Sequence, residues 1–529
     1  NNKILSMNIF ESQKSNILII SVLAIVSLLF RINFASFDIP ILLDGLEYYS
    51  FGYEVAFSHS YPVGILGTND GWSLFLSSFF MLFNNTDFMT LNFVQRSLSI
   101  SLSVITVIPV YYLCRQFVSE RFAVIGAVFF IFDPRIISNS TLGIIEPLFI
   151  FLNVLVLVTI FKNNSKFIYL SFLLIALSSI VRYEGLLMII PVVIFYFLRF
   201  RFNQKIIRNF FIGLIIFLII LSPIVVLRTS ANGMDGLSSH IFPSAYISQE
   251  LDKKLDSESI SGRMYDNFIL DFSVKSVFNT LKYLGWVSIP LFILFLPIAA
   301  YRIFQNKNDK INYLLLFSAF LIIPALYAYG REIQETRYLL VLVPIFSVFS
   351  AYGLSKFRKL SSNFWIAVLF IGIISMSILF LWYFQDEEYN IKKEVYYVSK
   401  IVTDVATGVN NYEKSHMLKA AELDQNWPEP LEVANSGEFE GEIVTKVNII
   451  PVDDSSDLVE FIHNSKTLNL SHLVIFEKNQ KEFFDDVFVN PENYPYLELE
   501  FDSDTIDFEN KILIYEINYE RFNEFIVEK

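Results

Sequence analysis

The chain has 529 residues, 54% of them hydrophobic, and a mean hydropathy of +0.48. Its repeated apolar runs approach the ~20 residues that cross a bilayer, which excludes a large soluble enzyme and predicts a polytopic membrane protein. The net charge is −13 at pH 7, and the acidic C-terminal part of the chain argues against nucleic acid as a partner, because a polyanion would be repelled. The single cysteine, Cys114, excludes an intramolecular disulfide.

Eleven segments are predicted as transmembrane helices. In chain order they are residues 17–34, 92–114, 122–137, 143–161, 167–181, 185–198, 210–227, 280–303, 311–328, 338–353 and 364–384. No small-residue cleavage pattern follows the first run, so we predict an uncleaved helix with a cytoplasmic N-terminus. The 13-residue segment 71–83 is too short to span and is predicted to lie in the interface or to re-enter, with Trp72 as an interfacial anchor.

This topology gives every cytoplasmic loop basic residues, as the positive-inside rule requires. Residues 1–385 are then a transmembrane domain with outer loops 35–91 and 229–278. At roughly fifty residues, the second loop is long enough to be functional rather than a connector.

The acidic residues collect in the C-terminal part. Residues 386–529 contain 32 acidic and 12 basic residues, a net charge of −20, whereas the preceding 385 residues contain 21 acidic and 28 basic residues, a net charge of +7. Segments 472–476 and 512–519 have the composition of strands, and 391–410 and 455–464 have helical patterning. We predict a soluble α/β domain outside the membrane.

The segment LDGLEYY, residues 43–49, follows the first apolar run. Asp44 and Glu47 are spaced i, i+3, and Tyr48 is at i+4 from Asp44, so a helix here would place all three on one face. This arrangement predicts a site at the membrane surface. The alternative is that Asp44 is an N-cap at the start of an ordinary solvated helix.

Further ionisable residues occur at the outer ends of other predicted spans. They are Glu146, Arg182, Glu184, Arg331, Glu335 and Arg337. Each has an ordinary alternative: Arg182 pairs with Glu184 across a turn, Glu146 starts a helix, or Arg337 snorkels. Together they favour a functional cluster. A carboxylate base with arginines suits transfer of a group from a phosphate, since arginines bind the phosphate charge that develops.

At these positions the chain resembles the GT-C superfamily of membrane glycosyltransferases, in particular the protein O-mannosyltransferase and aminoarabinose-transferase branch. The resemblance rests on LDGLEYY, TNDGWSLFLS, IIEPLF, RYEG and ETRYLLVLVP in that order, and covers roughly residues 17–384. This chain has DGLE where the mannosyltransferase branch has adjacent Asp-Glu, and its C-terminal part contains no WWDYG motif. The second difference argues against transfer of a whole oligosaccharide to asparagine.

The resemblance implies that Asp44 is the catalytic base, Glu146 a second acid or a metal ligand, and Arg337 a contact to the carrier phosphate. The remaining residues implied to bind substrate are Glu47, Tyr48, Arg182, Glu184, Arg331, Glu335 and Tyr338. The implied donor is a dolichyl- or undecaprenyl-phosphate sugar in the membrane lipid, and the implied acceptor is a glycan, lipid or protein. Whether the enzyme uses a divalent cation is left open; if it does, the implied ligands are Asp44 and Glu146. The implied location is an archaeal or bacterial plasma membrane.

Two other classes of protein fit parts of the pattern. A transporter or channel with an outside domain requires charged residues deep within the spans and often repeated halves, whereas here the charges gather at one face. If the protein is a non-catalytic membrane scaffold, the charged cluster has only a structural role, and the acidic C-terminal part serves solubility.

Overall fold

The structure is a computed structural model that describes most of the chain. The described residues are 13–59, 61–62, 69–83, 87–232, 262–305, 309–357, 362–410, 415–426, 447–452, 455–477, 481–506, 508 and 510–528. Much of the predicted outer loop 229–278, residues 233–261, lies outside them.

The contacts within the chain divide it into two compact units. The membrane unit comprises Asn1–Ser36, Glu47–Asn84 and Asn92–Tyr383; the C-terminal unit comprises Phe37–Leu46, Asn85–Leu91 and Phe384–Lys529. The sequence-based division assigned residues 37–46 to the membrane domain, whereas their contacts group them with the C-terminal unit.

Helices account for most of the chain up to residue 405. They are α1 Gln13–Phe34, α2 Asp44–Tyr53, α3 Gly71–Phe80, α4 Phe88–Ile105, α5 Val107–Cys114, α6 Glu120–Ile131, α7 Pro134–Ser140, α8 Glu146–Ile160, α9 Phe167–Val181, α10 Ile189–Phe200, α11 Gln204–Asn232, α12 Gly262–Ser288, α13 Phe295–Gln305, α14 Asp309–Gly330, α15 Val343–Leu354 and α16 Asn363–Val405. Two 3₁₀ segments, Tyr183–Met188 and Thr336–Leu342, precede α10 and α15.

Among the described residues, seven helices are long and apolar enough to cross a membrane, or eight if the bent pair α6 and α7 is one span. The chain is therefore a multi-pass membrane protein, as predicted, but the count of eleven spans is not confirmed. The predicted span 122–137 is bent by 51° between α6 and α7. There the Asp133 side chain accepts from the backbone N–H groups of Arg135 and Ile136 and starts a new helix.

The segment predicted to lie in the interface forms α3. At ten residues, or about 15 Å, this helix is too short to cross the hydrocarbon core. The prediction that Trp72 is an interfacial anchor is wrong. Its side chain is fully buried, and its indole N–H donates to the carbonyl of Gly143 at 3.0 Å.

The C-terminal unit contains a five-stranded sheet of order β2-β1-β3-β5-β4. The strands are β1 Gly408–Asn410, β2 Asn448–Ile450, β3 His472–Phe476, β4 Leu497–Asp502 and β5 Ile512–Ile517. Its helices after α16 are α17 Ser415–Asn426, α18 Leu458–Ser465, α19 Glu482–Val489 and α20 Tyr519–Glu528. The β1 strand is parallel to β2 and β3, whereas β5 is antiparallel to β3 and β4. The strand predicted at 472–476 is confirmed, whereas the strand predicted at 512–519 ends at Ile517, because Tyr519 begins α20. The helix predicted at 391–410 ends at Val405, and its last three residues form β1 instead.

Two apolar clusters form the core of this unit. One includes Val395 of α16, Leu418 of α17 and Val474 of β3, and Leu42 packs against it. Outside these clusters, the Ser471 hydroxyl accepts from the backbone N–H of Gly408 at 3.2 Å and lies 3.1 Å from the carbonyl oxygen of the same residue. This side chain therefore joins β3 to β1.

Candidate active site

A cavity with about 420 Å³ of empty space lies within the membrane unit. Its polar lining consists of Glu146, Arg182, Glu184, Arg337 and Tyr338. Its apolar lining consists of Phe149, Ile150, Phe320, Leu321, Pro324 and Val341. The structure thus brings together five of the residues singled out from the sequence.

Arg182 is the centre of the polar side of the cavity. Its guanidinium donates to Oε1 of Glu146 at 2.9 Å, and to the two carboxylate oxygens of Glu184 at 2.8 and 3.3 Å. All three side chains are buried, at 9%, 2% and 6% relative exposure respectively. The alternative that Arg182 pairs with Glu184 across a turn is therefore confirmed as a contact, but the same guanidinium also binds Glu146.

Local backbone structure presents these charges to one another. Glu146 starts α8 with Pro147 next to it, where the helix dipole favours a negative charge. Arg182 follows α9 in an extended conformation, with φ −143° and ψ 130°, and the 3₁₀ segment carrying Glu184 begins at the next residue. Two buried carboxylates share one buried guanidinium, so this trio has a formal charge of −1.

A second arginine reaches the cavity from the 3₁₀ segment Thr336–Leu342. Arg337 forms an ion pair with Glu335, whose side chain is 48% exposed, and its own side chain is 24% exposed. The guanidinium carbon of Arg182 lies 5.6 Å from the centroid of the Tyr338 ring, and the guanidinium carbon of Arg337 lies 5.7 Å from it. Both distances are within the range of cation–π attraction, so Tyr338 connects the two arginines.

Other predicted site residues of the membrane unit lie outside the cavity lining. Arg331 is exposed, with its guanidinium carbon 5.8 Å from the centroid of Tyr327. Tyr48 is buried and interacts electrostatically with Arg182. Glu47 is half-buried on α2.

Asp44 belongs to the C-terminal unit and is the first residue of α2. The residue before it, Leu43, has φ 51°, in the left-handed region that side chains other than glycine rarely adopt. Such a conformation persists where the surrounding structure imposes it, often at functional positions. Burial lowers the pKa of His416 on α17, while the negative charge of Asp44 acts on the same imidazole and raises it. Asp44 and His416 are therefore electrostatically coupled.

The sequence interpretation did not identify a second buried ion pair in the membrane unit. Asp70 is 1% exposed and Arg228 is fully buried, and the Nε of Arg228 donates to Asp70 at 3.1 Å. Tyr61 also donates to this carboxylate, and Arg228 donates to the carbonyl of Ile180 at 3.2 Å. Asp70 directly precedes the GW pair noted in the sequence, but nothing in the sequence shows that Arg228 is its partner.

The described residues contain no group of three or more histidine, cysteine, aspartate or glutamate side chains arranged to hold a metal ion. Glu146 is engaged by the guanidinium of Arg182, whose positive charge disfavours a cation beside it. The pair Asp44 and Glu146 as ligands stays a prediction.

No family model and no curated relative matches the sequence. Solved structures do match. ArnT from Cupriavidus metallidurans bound to undecaprenyl phosphate is 10% identical, with a TM-score of 0.58, over 96% of this chain and 98% of ArnT. The oligosaccharyltransferase of Archaeoglobus fulgidus in its apo form is 12% identical, with a TM-score of 0.53, over 93% of this chain and 73% of its own.

The same archaeal enzyme, AglB, in complex with an inhibitory peptide and a dolichol-phosphate gives a TM-score of 0.51 at 12% identity, over 93% of this chain and 74% of AglB. At these identities the matches show a shared fold. That fold is the one of the GT-C membrane glycosyltransferases, which confirms the family resemblance of the sequence at the level of the fold.

Proposed function

We propose that this protein is a glycosyltransferase that moves a sugar from a polyprenyl-phosphate donor to an acceptor at the outer face of the membrane. The observation that carries the proposal is the cavity in which two arginines and two carboxylates meet an apolar wall. A sugar phosphate on a long hydrocarbon chain needs both kinds of lining. The undecaprenyl phosphate bound to ArnT and the dolichol-phosphate bound to AglB support this class of donor.

In the proposed reaction, Asp44 takes the proton of an acceptor hydroxyl or amide while the acceptor atom attacks the anomeric carbon of the sugar. A bond forms between that atom and the carbon. The bond from the carbon to the phosphate oxygen breaks, and its electron pair leaves with the polyprenyl phosphate. A phosphate is already a stable anion, so its departure needs charge stabilisation rather than protonation.

We assign that stabilisation to Arg337. Its ion-pair partner Glu335 is half-exposed, so a phosphate can compete for its guanidinium. Arg182 is bound by two buried carboxylates and is proposed to orient Glu146 and Glu184 toward the sugar hydroxyls. The apolar residues Phe320 and Leu321 would contact the first isoprene units of the donor.

The proposal includes the predicted orientation of the chain. The N-terminus would be cytoplasmic and the C-terminal unit extracytoplasmic in an archaeal or bacterial plasma membrane, with up to eleven spans. This orientation is supported by the basic residues of the cytoplasmic loops.

The test is to incubate membranes containing the protein with a panel of polyprenyl-phosphate sugars and to measure sugar transfer. We expect transfer with at least one donor, and its loss in Asp44→Asn. Asp404→Asn, at an exposed position of α16, is the matched control and should retain most of the activity. Undiminished transfer by Asp44→Asn would contradict its role as the base, and substrate flux through vesicles without any transfer would instead favour a transporter.

A further inference from the structure

The segment that carries Asp44 is held by the C-terminal unit. Residues 37–46 make their contacts with this unit, although more than 330 residues of sequence separate them from residue 384. Three kinds of contact account for this association: a hydrogen bond, an ion pair and apolar packing.

The polar contacts are made at Asp38. The hydroxyl of Tyr389 donates to Oδ2 of Asp38 at 2.5 Å, and the ammonium of Lys393 lies 3.7 Å from the same oxygen. Tyr389 and Lys393 are one turn apart on α16. Both contacts involve the exposed carboxylate of Asp38, and the ion pair is the weaker of the two.

The apolar contact is made four residues later. Leu42 packs against the cluster formed by α16, α17 and the sheet, which includes Val395 and Leu418. Two residues of extended chain span at most about 7 Å, so an anchor at Leu42 restricts Asp44 closely. His416, which is coupled to the charge of Asp44, is on the helix that supplies Leu418.

We propose that the C-terminal unit positions the catalytic base: Tyr389, Lys393 and the core around Leu42 hold residues 37–46 so that Asp44 can take the acceptor proton. This inference rests on the proposed function. It gives the soluble domain a role in the transfer step itself. Tyr389, Lys393 and Leu42 are positioning residues, because they act through Asp44. A shift of about 1 Å in a reacting group can cost about a hundredfold in rate, so loosening this segment lowers kcat.

The first test compares Leu42→Ala with Ile449→Ala in the full-length protein. Both side chains are partly buried against the same cluster, but Ile449 is on β2, far from the segment in sequence. We expect Leu42→Ala to lower kcat at least tenfold with an unchanged KM for the polyprenyl-phosphate sugar, and Ile449→Ala to change kcat less than twofold. Equal losses in both variants would show that the effect is general loosening and would overturn the inference.

The second test compares Tyr389→Phe with Tyr494→Phe. Each removes a tyrosine hydroxyl that binds an aspartate of the C-terminal unit, since Tyr494 donates to Asp486 at 2.6 Å. A kcat decrease of severalfold is expected for Tyr389→Phe alone.

A third measurement does not depend on sugar transfer. Cys114 is the only cysteine and is buried, so thiols introduced by Asp38→Cys and Lys393→Cys can be bridged by a short bifunctional reagent. Failure to bridge would overturn the association itself. Bridging in a protein that transfers no sugar from any donor would contradict the proposed function while leaving the association intact.

Discussion

Arg182 and Glu146 form a buried ion pair, with Nη1 of the guanidinium 2.9 Å from Oε1 of the carboxylate. The two residues are 36 positions apart, and their contact joins the end of α9 to the start of α8. Because Glu184 binds the same guanidinium, removal of Arg182 leaves two buried carboxylates without their cation.

We therefore expect Arg182→Met to lower the free energy of unfolding by about 3–5 kcal/mol, the usual cost of leaving a buried charge unpaired. The matched control is Arg115→Met. Arg115 pairs with Glu120, and both side chains are more than a quarter exposed, at 28% and 26%. Its substitution should cost about 0–1 kcal/mol. Thermal or denaturant unfolding of the purified proteins in detergent measures both, and similar losses would argue against the buried trio.

The two arginines of the segment GREIQETRYLL should differ in donor binding. Arg337 lines the cavity beside Tyr338, whereas Arg331 is exposed and outside the lining. A lysine keeps the charge but loses the planar guanidinium, so Arg337→Lys should weaken polyprenyl-phosphate binding by about tenfold, or about 1.4 kcal/mol. Arg331→Lys should leave the Kd within about twofold. Titration with a labelled polyprenyl phosphate measures the Kd of both variants. A larger effect at Arg331 than at Arg337 would contradict the assignment of the phosphate site to Arg337.

Gly71 lies where α3 begins against the end of α9. A Cβ added there would be 2.6 Å from Cα and N of Val181, the residue before Arg182. Backbone atoms cannot give way as a flexible side chain can, so Gly71→Ala should destabilise the protein by about 1–3 kcal/mol and reduce activity. Gly285→Ala is the control, because its Cβ would meet nothing within 4 Å inside α12. There alanine should stabilise the helix by up to about 1 kcal/mol. Unfolding and sugar-transfer assays on Gly71→Ala and Gly285→Ala test this prediction.

His416 provides a pH-dependent test of its coupling to Asp44. Burial holds the pKa of His416 below its ordinary value of about 6.5, and the charge of Asp44 opposes that shift. Asp44→Asn should therefore lower the pKa of His416 further, while Asp404→Asn, at an exposed position, should not change it. Carbethoxylation of His416 as a function of pH, followed by mass mapping of its peptide, measures the pKa. An unchanged pKa in Asp44→Asn would contradict the coupling.

The same shift fixes the sign of the stability change. A histidine whose pKa is lower in the folded state favours folding above the unfolded pKa, and this contribution is lost as the pH falls through the folded value. The C-terminal unit should therefore lose stability on acidification below about pH 6.5. In Asp44→Asn the stability of the unit should continue to fall to a lower pH, because the pKa of His416 is expected to be lower in that variant.

The sequence predicted those features that depend on composition along the chain. Long apolar runs predicted the membrane helices, and short segments with the composition of strands predicted strands such as His472–Phe476. Charged residues at the ends of apolar segments predicted a cluster, and four of them line one cavity together with Tyr338. Their roles in catalysis and binding stay predictions. Hydropathy averaged over a window did not reveal the bend at Asp133, although an aspartate before a proline is a helix-start signal.

Contacts between residues far apart in the chain could not be predicted from the sequence. Glu146 has the same local pattern whether it starts a helix alone or binds Arg182, since the contact depends on how α8 packs on α9. Likewise, nothing in the composition of residues 37–46 indicates that Leu42 packs against the core of the C-terminal unit. Trp72 illustrates the opposite error, because a tryptophan near a membrane end suggests an anchor until its burial is known.

The link between Ser471 and Gly408 limits when asparagine can be modified nearby. Asn469-Leu470-Ser471 is an acceptor triplet for N-glycosylation, and the exposed Asn469 is followed two residues later by the hydroxyl that the triplet requires. In the folded unit that hydroxyl is hydrogen-bonded to β1. If the C-terminal unit is extracytoplasmic, as proposed, and the host glycosylates asparagine, we expect a glycan at Asn469 to be added before β3 pairs with β1, and its occupancy to report how quickly this sheet forms.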